Sequence, residues 1–370
     1  MKIYDYLIVG AGLFGATLAD SLTKKYGHSV LVVEKNSNVG GMCYTEKNLG
    51  ITVHKYGAHI FRTDDIDIWN YVNKLVKFRP FINSPLAYVD GSLYNLPFNM
   101  NTFKQLWGVL TPDDAMAKIQ ADCVANDNPQ NLEEFALSKV GRTIYSMFIK
   151  DYTEKQWGKK CTELPASILG RLPLRFTYDN NYYANKQYQG IPVEGYTVLI
   201  ERMLNMSTVI LNCKDWKQYK DYANQIIYTG SIDEYYDYKY GKLDYRSLRF
   251  EEHIREIENV RGNAVINYTT KEYPYTREIE HKHFLNEQSP VSIVSYEYPE
   301  LYNGENERYY PLETKENIEL YNKYSSIETD TIFAGRLGQY RYTDMEQTIV
   351  NALNLSSNLK CGNFKKEDKK

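Results

Sequence analysis

The chain has 370 residues, enough for two or three domains, and its 43% hydrophobic content suffices for a sizeable core. Its formal net charge of −3 provides no general attraction to nucleic acid or to acidic membrane surfaces, so we expect no nucleic-acid partner. The sequence contains no uninterrupted apolar run of the roughly eighteen residues that a membrane-spanning helix needs, so we expect no integral membrane segment.

The cysteines give no sign of a disulfide framework or a metal site. They are odd in number, and no two have the spacing of metal ligands; they are Cys43, Cys123, Cys161, Cys213 and Cys361. This pattern favours a reducing compartment, so we expect a cytoplasmic protein that binds no metal.

The segment from Tyr4 to Glu34 has the pattern of a dinucleotide-binding strand–helix–strand unit. Two apolar runs predict neighbouring parallel strands. Between them, Gly10 permits a sharp turn, Gly12 lets the backbone approach a pyrophosphate, and Gly15 lets the helix pack closely on the strand. The N-terminus of the following helix favours a phosphate group.

Glu34 ends the second strand 19 residues after Gly15, where an acceptor for a ribose hydroxyl is expected. The pair Gly40-Gly41 follows within a few residues, which resembles FAD-binding proteins of the glutathione-reductase and amine-oxidase type. A second Gly-rich turn of this kind, which a separate NADPH-binding domain would need, does not occur.

The middle of the chain is predicted to be helical from about 101 to 159. Thr111 and Pro112 form a strong helix start, with a capping hydroxyl and a proline at the first helical position. Apolar residues four apart predict one buried helix face; they are Leu132, Ala136, Val140, Ile144 and Phe148. Polar, aromatic and basic residues then alternate with glycine and proline up to Tyr183, which predicts a mobile, ligand-facing loop.

Strand patterns dominate from about 248 to 298, and an antiparallel sheet is expected because no helix separates them. The strand predicted from Tyr275 to Phe284 would place Arg277, Ile279, His281 and His283 on one face. The run 226–233 predicts a strand that returns to the first sheet.

Near the C-terminus, a strand at 331–333 leads into a Gly-rich turn. A helix is predicted to begin at Thr343, with Glu346 as its capping-box partner. In FAD folds such a helix directs its positive end at the flavin. The final segment, Lys365 to Lys370, is expected to be a solvated tail.

Several separated motifs together resemble the UDP-galactopyranose mutase family, and they extend over nearly the whole chain. They are Asp151–Trp157, Arg171–Phe176, Asp179–Tyr182, Tyr275–Arg277, Glu280–His283, Tyr309–Pro311 and Gly335–Asp344. The resemblance implies an isomerase that interconverts UDP-galactopyranose and UDP-galactofuranose without net redox change. Reduced FAD would act through flavin N5 as the nucleophile at the anomeric carbon, giving a flavin N5–sugar adduct as UDP departs.

The resemblance also implies roles for individual residues. Arg171 and Arg277 would clamp the diphosphate, while Tyr152 would stack on uracil with Phe148 beside it. The catalytic residues would be Arg171, Arg277, His59 and Arg62. The substrate-binding residues would be Asn83, Phe148, Tyr152, Thr153, Trp157, Arg171, Tyr182, Tyr183, Arg246, Asn267, Arg277, Tyr310 and Tyr342, with Tyr309 as an alternative to Tyr310. The cofactor-binding residues would be Gly10, Gly12, Phe14, Gly15, Glu34, Lys35, Gly41, His59, Ile60, Gly335, Arg336, Tyr342, Asp344 and Met345.

One departure from the family bears on the substrate. The family commonly has Gly-Pro-His-Ile-Phe-His where this chain has Ala58 in place of the proline and Arg62 in place of the second histidine. A guanidinium is longer and always charged, so Arg62 predicts activity on UDP-N-acetylgalactosamine besides UDP-galactose. The alternative is that Arg62 points to solvent or pairs with Asp64 or Asp65.

The expected fold class is α/β, a Rossmann-like FAD-binding domain with an inserted helical domain and an antiparallel β-sheet domain. The FAD-binding domain would comprise 1–80, 191–243 and 310–370, the helical domain 99–162, and the sheet domain 81–98, 163–190 and 244–309. The expected partners are a UDP-sugar substrate, an external reductant for the flavin and a second copy of the chain in a homodimer. The competing functions are an amine-oxidase-like flavin oxidoreductase and a non-catalytic UDP-sugar-binding flavoprotein.

Overall fold

The structure is a computed structural model that describes residues 3–169 and 174–360. The predicted tail, together with Cys361, lies outside the described residues, as does Arg171. Within the described ranges, no helix combines the length and apolarity needed to cross a membrane.

Strands and helices alternate irregularly along the chain. The strands are β1 Tyr4–Val9, β2 Val30–Val33, β3 Thr45–Asn48, β4 Ile51–His54, β5 Phe61–Thr63, β6 Phe78–Pro80, β7 Leu86–Val89, β8 Ser92–Asn95, β9 Tyr188–Pro192, β10 Thr208–Ile210, β11 Ala223–Tyr228, β12 Tyr245–Arg255, β13 Val265–Tyr268, β14 Arg277–Glu280, β15 Ser292–Leu301, β16 Tyr310–Pro311 and β17 Ile332–Phe333. The α-helices are α1 Leu13–Asp20, α2 Ile66–Leu75, α3 Met100–Trp107, α4 Pro112–Asp122, α5 Leu132–Ile144, α6 Lys150–Trp157, α7 Gly195–Leu204, α8 Ile232–Tyr235, α9 Lys282–Leu285, α10 Lys315–Ser325, α11 Gly335–Gly338 and α12 Met345–Lys360. Short π-helical turns, Ser21–Lys25 and Tyr145–Ile149, extend α1 and α5, and 3-10 turns occupy Gly41–Cys43, Cys161–Glu163, Ala166–Leu169 and Trp216–Tyr222.

A five-stranded parallel sheet carries the Gly-rich turn, in the order β10-β2-β1-β11-β17. All four residues of β2 are buried, as expected for a central parallel strand that is covered on both faces. The predicted return strand is confirmed, because β11 pairs with β1 along its length. Helices α1, α7 and α12 supply side chains to the core over this sheet.

Helices α3 to α6 form a separate hydrophobic cluster. The predicted start of α4 is confirmed, since the Thr111 hydroxyl accepts a hydrogen bond from the Asp114 N–H and Pro112 occupies the first turn. The predicted apolar face is buried from Leu132 to Phe148. It is not one regular helix, because Gly141 has a φ of 80° and interrupts α5 before the face continues.

A seven-stranded sheet has the order β16-β12-β15-β14-β13-β7-β8. Its pairs are antiparallel except for β7 and β13, which are parallel. The predicted strand from Tyr275 to Phe284 is too long: β14 ends at Glu280, and the chain turns into the short helix α9. His281 and His283 therefore do not continue the face that Arg277 and Ile279 share, because His281 already has helical dihedral angles.

Two small antiparallel sheets, β3-β4 and β5-β9-β6, complete the described fold. The last helix begins at Met345 rather than at Thr343, and the predicted capping box is wrong. The Asp344 carboxylate accepts from the Gln347 N–H at 2.9 Å. Glu346 instead accepts from the Thr63 hydroxyl at 2.5 Å and pairs with Lys186 at 2.9 Å.

Candidate active site

A cavity of about 740 Å³ lies where the parallel sheet, the face of the large sheet and the start of α12 meet. All residues predicted to bind the cofactor line this cavity; they are Gly10, Gly12, Phe14, Gly15, Glu34, Lys35, Gly41, His59, Ile60, Gly335, Arg336, Tyr342, Asp344 and Met345. The two ends of the described chain thus meet at one site, and the volume is within the usual range for a cofactor or ligand pocket.

The Gly-rich turn brings its backbone against neighbouring chain segments. Gly10 has a φ of 112°, and a Cβ there would overlap the Thr229 hydroxyl. A Cβ at Gly15 would overlap the Gly10 carbonyl oxygen. Gly12 differs, because its Cβ would make only an ordinary contact of 3.9 Å with Gly41 Cα. Gly12 thus keeps open the space beside the turn, whereas Gly10 and Gly15 serve the packing of the turn itself.

The start of α1 and the end of β2 fit the two halves of a dinucleotide. Gly12 caps α1 without any side-chain hydrogen bond, and the first-turn residues Leu13, Phe14 and Gly15 line the cavity, so their N–H groups suit a pyrophosphate. Glu34 is buried; its two carboxylate oxygens accept from the N–H groups of Ala11 at 2.8 Å and Asn36 at 2.9 Å. Each oxygen retains a lone pair, which suits a ribose hydroxyl. These residues fit FAD.

His59 is a neutral side chain on the cavity wall. Burial lowers its pKa to about 4, and Arg336 and Arg277 act in the same direction. Its Nδ1 lies 2.8 Å from the Gly57 carbonyl oxygen, which can only accept a hydrogen bond. A neutral ring must therefore carry its proton on Nδ1, which leaves Nε2 as an acceptor.

Arg277 occupies the sheet face of the cavity next to a buried carboxylate. The two residues are paired across β14 and β15, and Arg277 Nη1 lies 3.3 Å from Glu297 Oε2. Glu297 is 1% exposed, whereas the Arg277 side chain is 35% exposed. Glu297 raises the pKa of Arg277, and Tyr152 adds to this effect. The guanidinium therefore stays charged while its outer part faces the cavity.

Three tyrosines surround Arg277. Tyr152, Tyr182 and Tyr310 all interact electrostatically with its guanidinium. Burial raises the pKa of all three phenols. They therefore remain neutral hydrogen-bond donors at physiological pH. The ring of Tyr310 also lies 5.8 Å from that of Tyr342, which joins this group to the cofactor-binding residues.

Arg62 lies at the same cavity, next to Tyr183 and Asp344. Its guanidinium carbon lies 4.2 Å from the centre of the Tyr183 ring, and its Nη2 lies 3.6 Å from Asp344 Oδ2. Asp64 pairs with Lys186 instead, at 3.0 Å. Arg62 thus pairs with Asp344, and the alternative pairing with Asp64 or Asp65 is wrong.

Tyr152 and Tyr182 are not part of the cavity lining, and the remaining predicted substrate residues also lie away from it. Asn267 is next to it, paired with Arg277 across β13 and β14, and its buried Oδ1 has no hydrogen-bond partner. The carbonyl of the buried Asn83 accepts from the Tyr182 N–H at 2.8 Å. Thr153 and Arg246 are buried, and Trp157 packs against the helical cluster. Phe148 lies in that cluster between Tyr94 and Phe98, which makes it a core residue.

The sequence analysis missed several charged residues of the cavity lining, among them Glu297 and Arg308. Glu297 was not identified because its role depends on the register that sets it opposite Arg277; the available signal was a single acid between Tyr296 and Tyr298 in a strand pattern. Arg308 lines the cavity, with its guanidinium 4.4 Å from the centre of the Tyr302 ring. It adjoins the Tyr309–Pro311 motif, but an isolated arginine carries no signal of its own.

Comparison with known proteins gives consistent matches. Residues 147–342 match the family described as UDP-galactopyranose mutase, and residues 8–75 match the NAD(P)-binding Rossmann-like domain. A protein described as "Probable UDP-galactopyranose mutase" from Klebsiella pneumoniae is 39% identical over 95% of this chain and 94% of its own length. The dTDP-fucopyranose mutase of Escherichia coli is 38% identical over 94% of this chain and 96% of its own length.

Solved structures show the same fold. The crystal structure of a reduced UDP-galactopyranose mutase superimposes with a TM-score of 0.73 at 14% identity, covering 97% of this chain and 94% of that one. Wild-type putrescine oxidase bound to putrescine superimposes with a TM-score of 0.58 at 13% identity, covering 96% and 98%. At these identities the two structures show the fold alone.

Proposed function

The chain belongs to the UDP-galactopyranose mutase family, and we propose that it interconverts UDP-galactopyranose and UDP-galactofuranose at the cavity described above. The observation that carries this proposal is the continuity of the cavity. It extends from the Gly-rich turn and Glu34, which fit FAD, to Arg277 and Tyr310, which fit a diphosphate.

FAD is the cofactor, and Gly12, the first turn of α1 and Glu34 would hold it, with the start of α12 at the other end of the cavity. When bound and reduced, it supplies nucleophilic chemistry at the anomeric carbon of the sugar. The protein must then hold the sugar nucleotide in one orientation and stabilise the charge that develops on the departing diphosphate.

Arg277 is suited to that second task. Glu297 pairs with one nitrogen of its guanidinium, and the guanidinium is exposed on the cavity side. Diphosphate oxygens can therefore accept hydrogen bonds from its remaining N–H groups. The neutral phenol of Tyr310 lines the cavity and supplies a further donor without adding charge. Tyr182, which does not line the cavity, is proposed as a second neutral donor. Tyr152, which interacts electrostatically with Arg277, brings an aromatic ring near that residue, and an aromatic face suits a uracil ring. Arg171, outside the described residues, is proposed as the second arginine of the clamp.

His59 is proposed as a hydrogen-bond acceptor at the cofactor. Because its pKa is held near 4, it stays uncharged over the physiological range and adds no positive charge next to Arg277 and Arg336.

A second candidate substrate class has nearly equal support from the relatives. The Escherichia coli dTDP-fucopyranose mutase differs from the Klebsiella relative by only one percentage point in identity to this chain, 38% against 39%. Both relatives are described as pyranose mutases, so the two candidate substrates differ in the nucleotide base and in the sugar, not in the type of reaction. An amine-oxidase-like reaction is less well supported, because an amine has no use for the cluster of Arg277 and three tyrosines.

The position of Arg62 supports activity on UDP-N-acetylgalactosamine as well. Arg62 lies on the cavity wall between Tyr183 and Asp344, and its donors suit the carbonyl of an acetamido group. An imidazole at this position would be shorter than the guanidinium.

The experiment is to measure kcat/KM of the reduced enzyme for UDP-galactose, UDP-N-acetylgalactosamine and dTDP-fucopyranose, for the wild type and for Arg62→His. We expect Arg62→His to reduce turnover of the N-acetylated sugar by at least about tenfold more than turnover of UDP-galactose, which corresponds to ~1.4 kcal/mol of lost discrimination. The matched control is Arg79→His, on β6 of the same three-stranded sheet, because Arg79 is exposed and does not line the cavity. Equal effects of Arg62→His on both sugars contradict the role of Arg62, and a clear preference for dTDP-fucopyranose contradicts the assigned substrate.

Three further proposals concern partners and location. An external reductant is required because the active flavin is the reduced form, and a homodimer is proposed from the family resemblance alone. The four described cysteines are free, which supports a reducing, cytoplasmic location. Size-exclusion chromatography coupled to light scattering tests the dimer, and a monomeric mass at micromolar concentration contradicts it.

A further inference from the structure

Lys155 on α6 forms four hydrogen bonds with backbone carbonyl oxygens. Its Nζ donates to the carbonyls of Tyr268 at 2.8 Å, Thr270 at 2.8 Å, Tyr273 at 2.9 Å and Tyr275 at 3.0 Å. An ammonium has three N–H donors, so the four oxygens share them. The chain between β13 and β14 therefore folds around one side chain of a different element.

The two elements joined by this contact carry the proposed nucleotide site. Helix α6 bears Tyr152, one turn before Lys155. The connection between β13 and β14 comprises residues 269–276. It begins just after β13, which contains Asn267, and it ends at Arg277, the first residue of β14. Tyr152 raises the pKa of Arg277, so the two side chains interact, and their relative position depends on how α6 packs against this connection.

The charge of Lys155 is matched by carbonyl dipoles and not by a carboxylate. In the described part of the chain, the acids nearest to it on α6, Asp151 and Glu154, pair with Lys271 instead, at 3.4 and 2.7 Å. Burial lowers the pKa of Lys155 to about 8, and Asp151 opposes this effect. A compact ammonium fits a shell of four carbonyls, whereas the planar fork of an arginine does not.

We propose that Lys155 is a positioning residue of the mutase reaction, which holds the β13–β14 connection against α6 and thereby fixes Arg277 relative to Tyr152. The inference rests on the proposed function, because it assigns Tyr152 and Arg277 to the sugar nucleotide. Lys155 itself does not line the cavity.

The primary test is Lys155→Met, which preserves the length and apolar stem of the side chain but removes the donors. Residues 269–276 of the connection do not line the cavity, so we expect the variant to retain FAD and to fold. We expect the Kd for UDP, measured by calorimetry on the oxidised enzyme, to rise at least about tenfold, and kcat to fall as well. Lys155→Arg is expected not to restore either quantity.

The matched control is Lys271→Met, because Lys271 links the same connection to the same helix through exposed ion pairs. Such pairs contribute little, so UDP affinity and kcat should stay within about twofold of the wild type. A Lys155→Met enzyme that binds UDP and turns over like the control contradicts the proposal. If the wild type itself binds no UDP and forms no furanose product, the proposed function fails instead.

A rescue experiment separates positioning from general destabilisation. In Lys155→Ala, propylammonium replaces the missing part of the side chain and is expected to restore UDP affinity in a saturable way, whereas sodium chloride at equal ionic strength does not. Absence of rescue in a folded, FAD-loaded Lys155→Ala variant contradicts the proposal. Loss of folding in Lys155→Met and Lys155→Ala alike also contradicts it, since Lys155 would then be a determinant of the fold.

Discussion

Arg277 illustrates how one site residue depends on a second, buried one. Its guanidinium faces the cavity, while Glu297 beneath it is almost completely buried and fixes its charge and position. Burying a carboxylate in this way is costly unless it is paired, so Arg277 has a structural role besides its proposed role in binding the diphosphate.

At the residue scale, we predict that Arg277→Ala loses roughly 10- to 150-fold in kcat/KM, the equivalent of about 1.5–3 kcal/mol for a charge-assisted contact to phosphate. The variant also leaves the buried Glu297 without its cationic partner, with only the Thr276 hydroxyl, among the described residues, still donating to it, so the Tm of the variant should fall. The double variant Arg277→Ala/Glu297→Gln separates the two effects: Tm should recover in part, whereas kcat/KM should remain low. Recovery of kcat/KM in the double variant would show that the loss came from the stranded carboxylate and not from the clamp.

Residues embedded in local motifs could be placed from the sequence, and residues that depend on register could not. The glycines, Glu34 and Arg336 belong to contiguous patterns, and all of them line the cavity. Glu297 lies at the site because β15 pairs with β14 and places it opposite Arg277, and no local sequence pattern reveals this pairing. Phe148 was assigned to the ligand because it adjoins a ligand motif, but its position on the apolar helix face determined its burial in the core.

At the element scale, the strand–turn–helix around Gly10 to Gly15 combines two kinds of glycine. Gly15 is required by the packing of the turn, since an added Cβ would overlap the Gly10 carbonyl oxygen. Gly12 has space for a Cβ within the protein, and its backbone has an ordinary φ of −76°.

We therefore predict different outcomes for two alanine variants. Gly12→Ala should fold with nearly unchanged Tm as the apoprotein but lose FAD affinity by at least about tenfold, ~1.4 kcal/mol, because the methyl group occupies the place of the pyrophosphate. Gly15→Ala should destabilise the apoprotein itself by about 1–3 kcal/mol through overpacking. Calorimetric Tm values of the apoproteins and FAD titrations measure both, and unchanged FAD affinity in Gly12→Ala contradicts the assignment of the turn.

Element ends were less predictable than element types. The strand that begins at Arg277 was expected to continue through His281 and His283, on the same face as Arg277 and Ile279. The four-residue helix α9 follows instead, and so short a segment leaves no helical periodicity to detect. Likewise, α12 starts at Met345 because Asp344 caps it, while Glu346 is engaged by Thr63 and Lys186 from distant parts of the chain.

At the scale of the whole molecule, the cavity joins segments that are far apart in sequence. The Gly-rich turn, the sheet residue Arg277 and the helix that starts at Met345 all line it. The sequence predicted the Rossmann-like sheet and the α/β class from local patterns. The parallel pairing of β7 with β13 was not predictable, because the two strands are separated by the whole helical region. The three-domain division given by the sequence stays a proposal.

The central claim is that this fold catalyses a ring-size isomerisation that depends on reduced FAD but consumes no reducing equivalents. The most direct test is to incubate the purified enzyme anaerobically with UDP-galactopyranose, either fully oxidised or reduced with dithionite, and to quantify both ring forms of the product by chromatography. The account predicts UDP-galactofuranose only from the reduced enzyme, over many turnovers per flavin, with the flavin still reduced at the end. Equal turnover by oxidised and reduced enzyme, or oxidation of one flavin for every sugar converted, would contradict it.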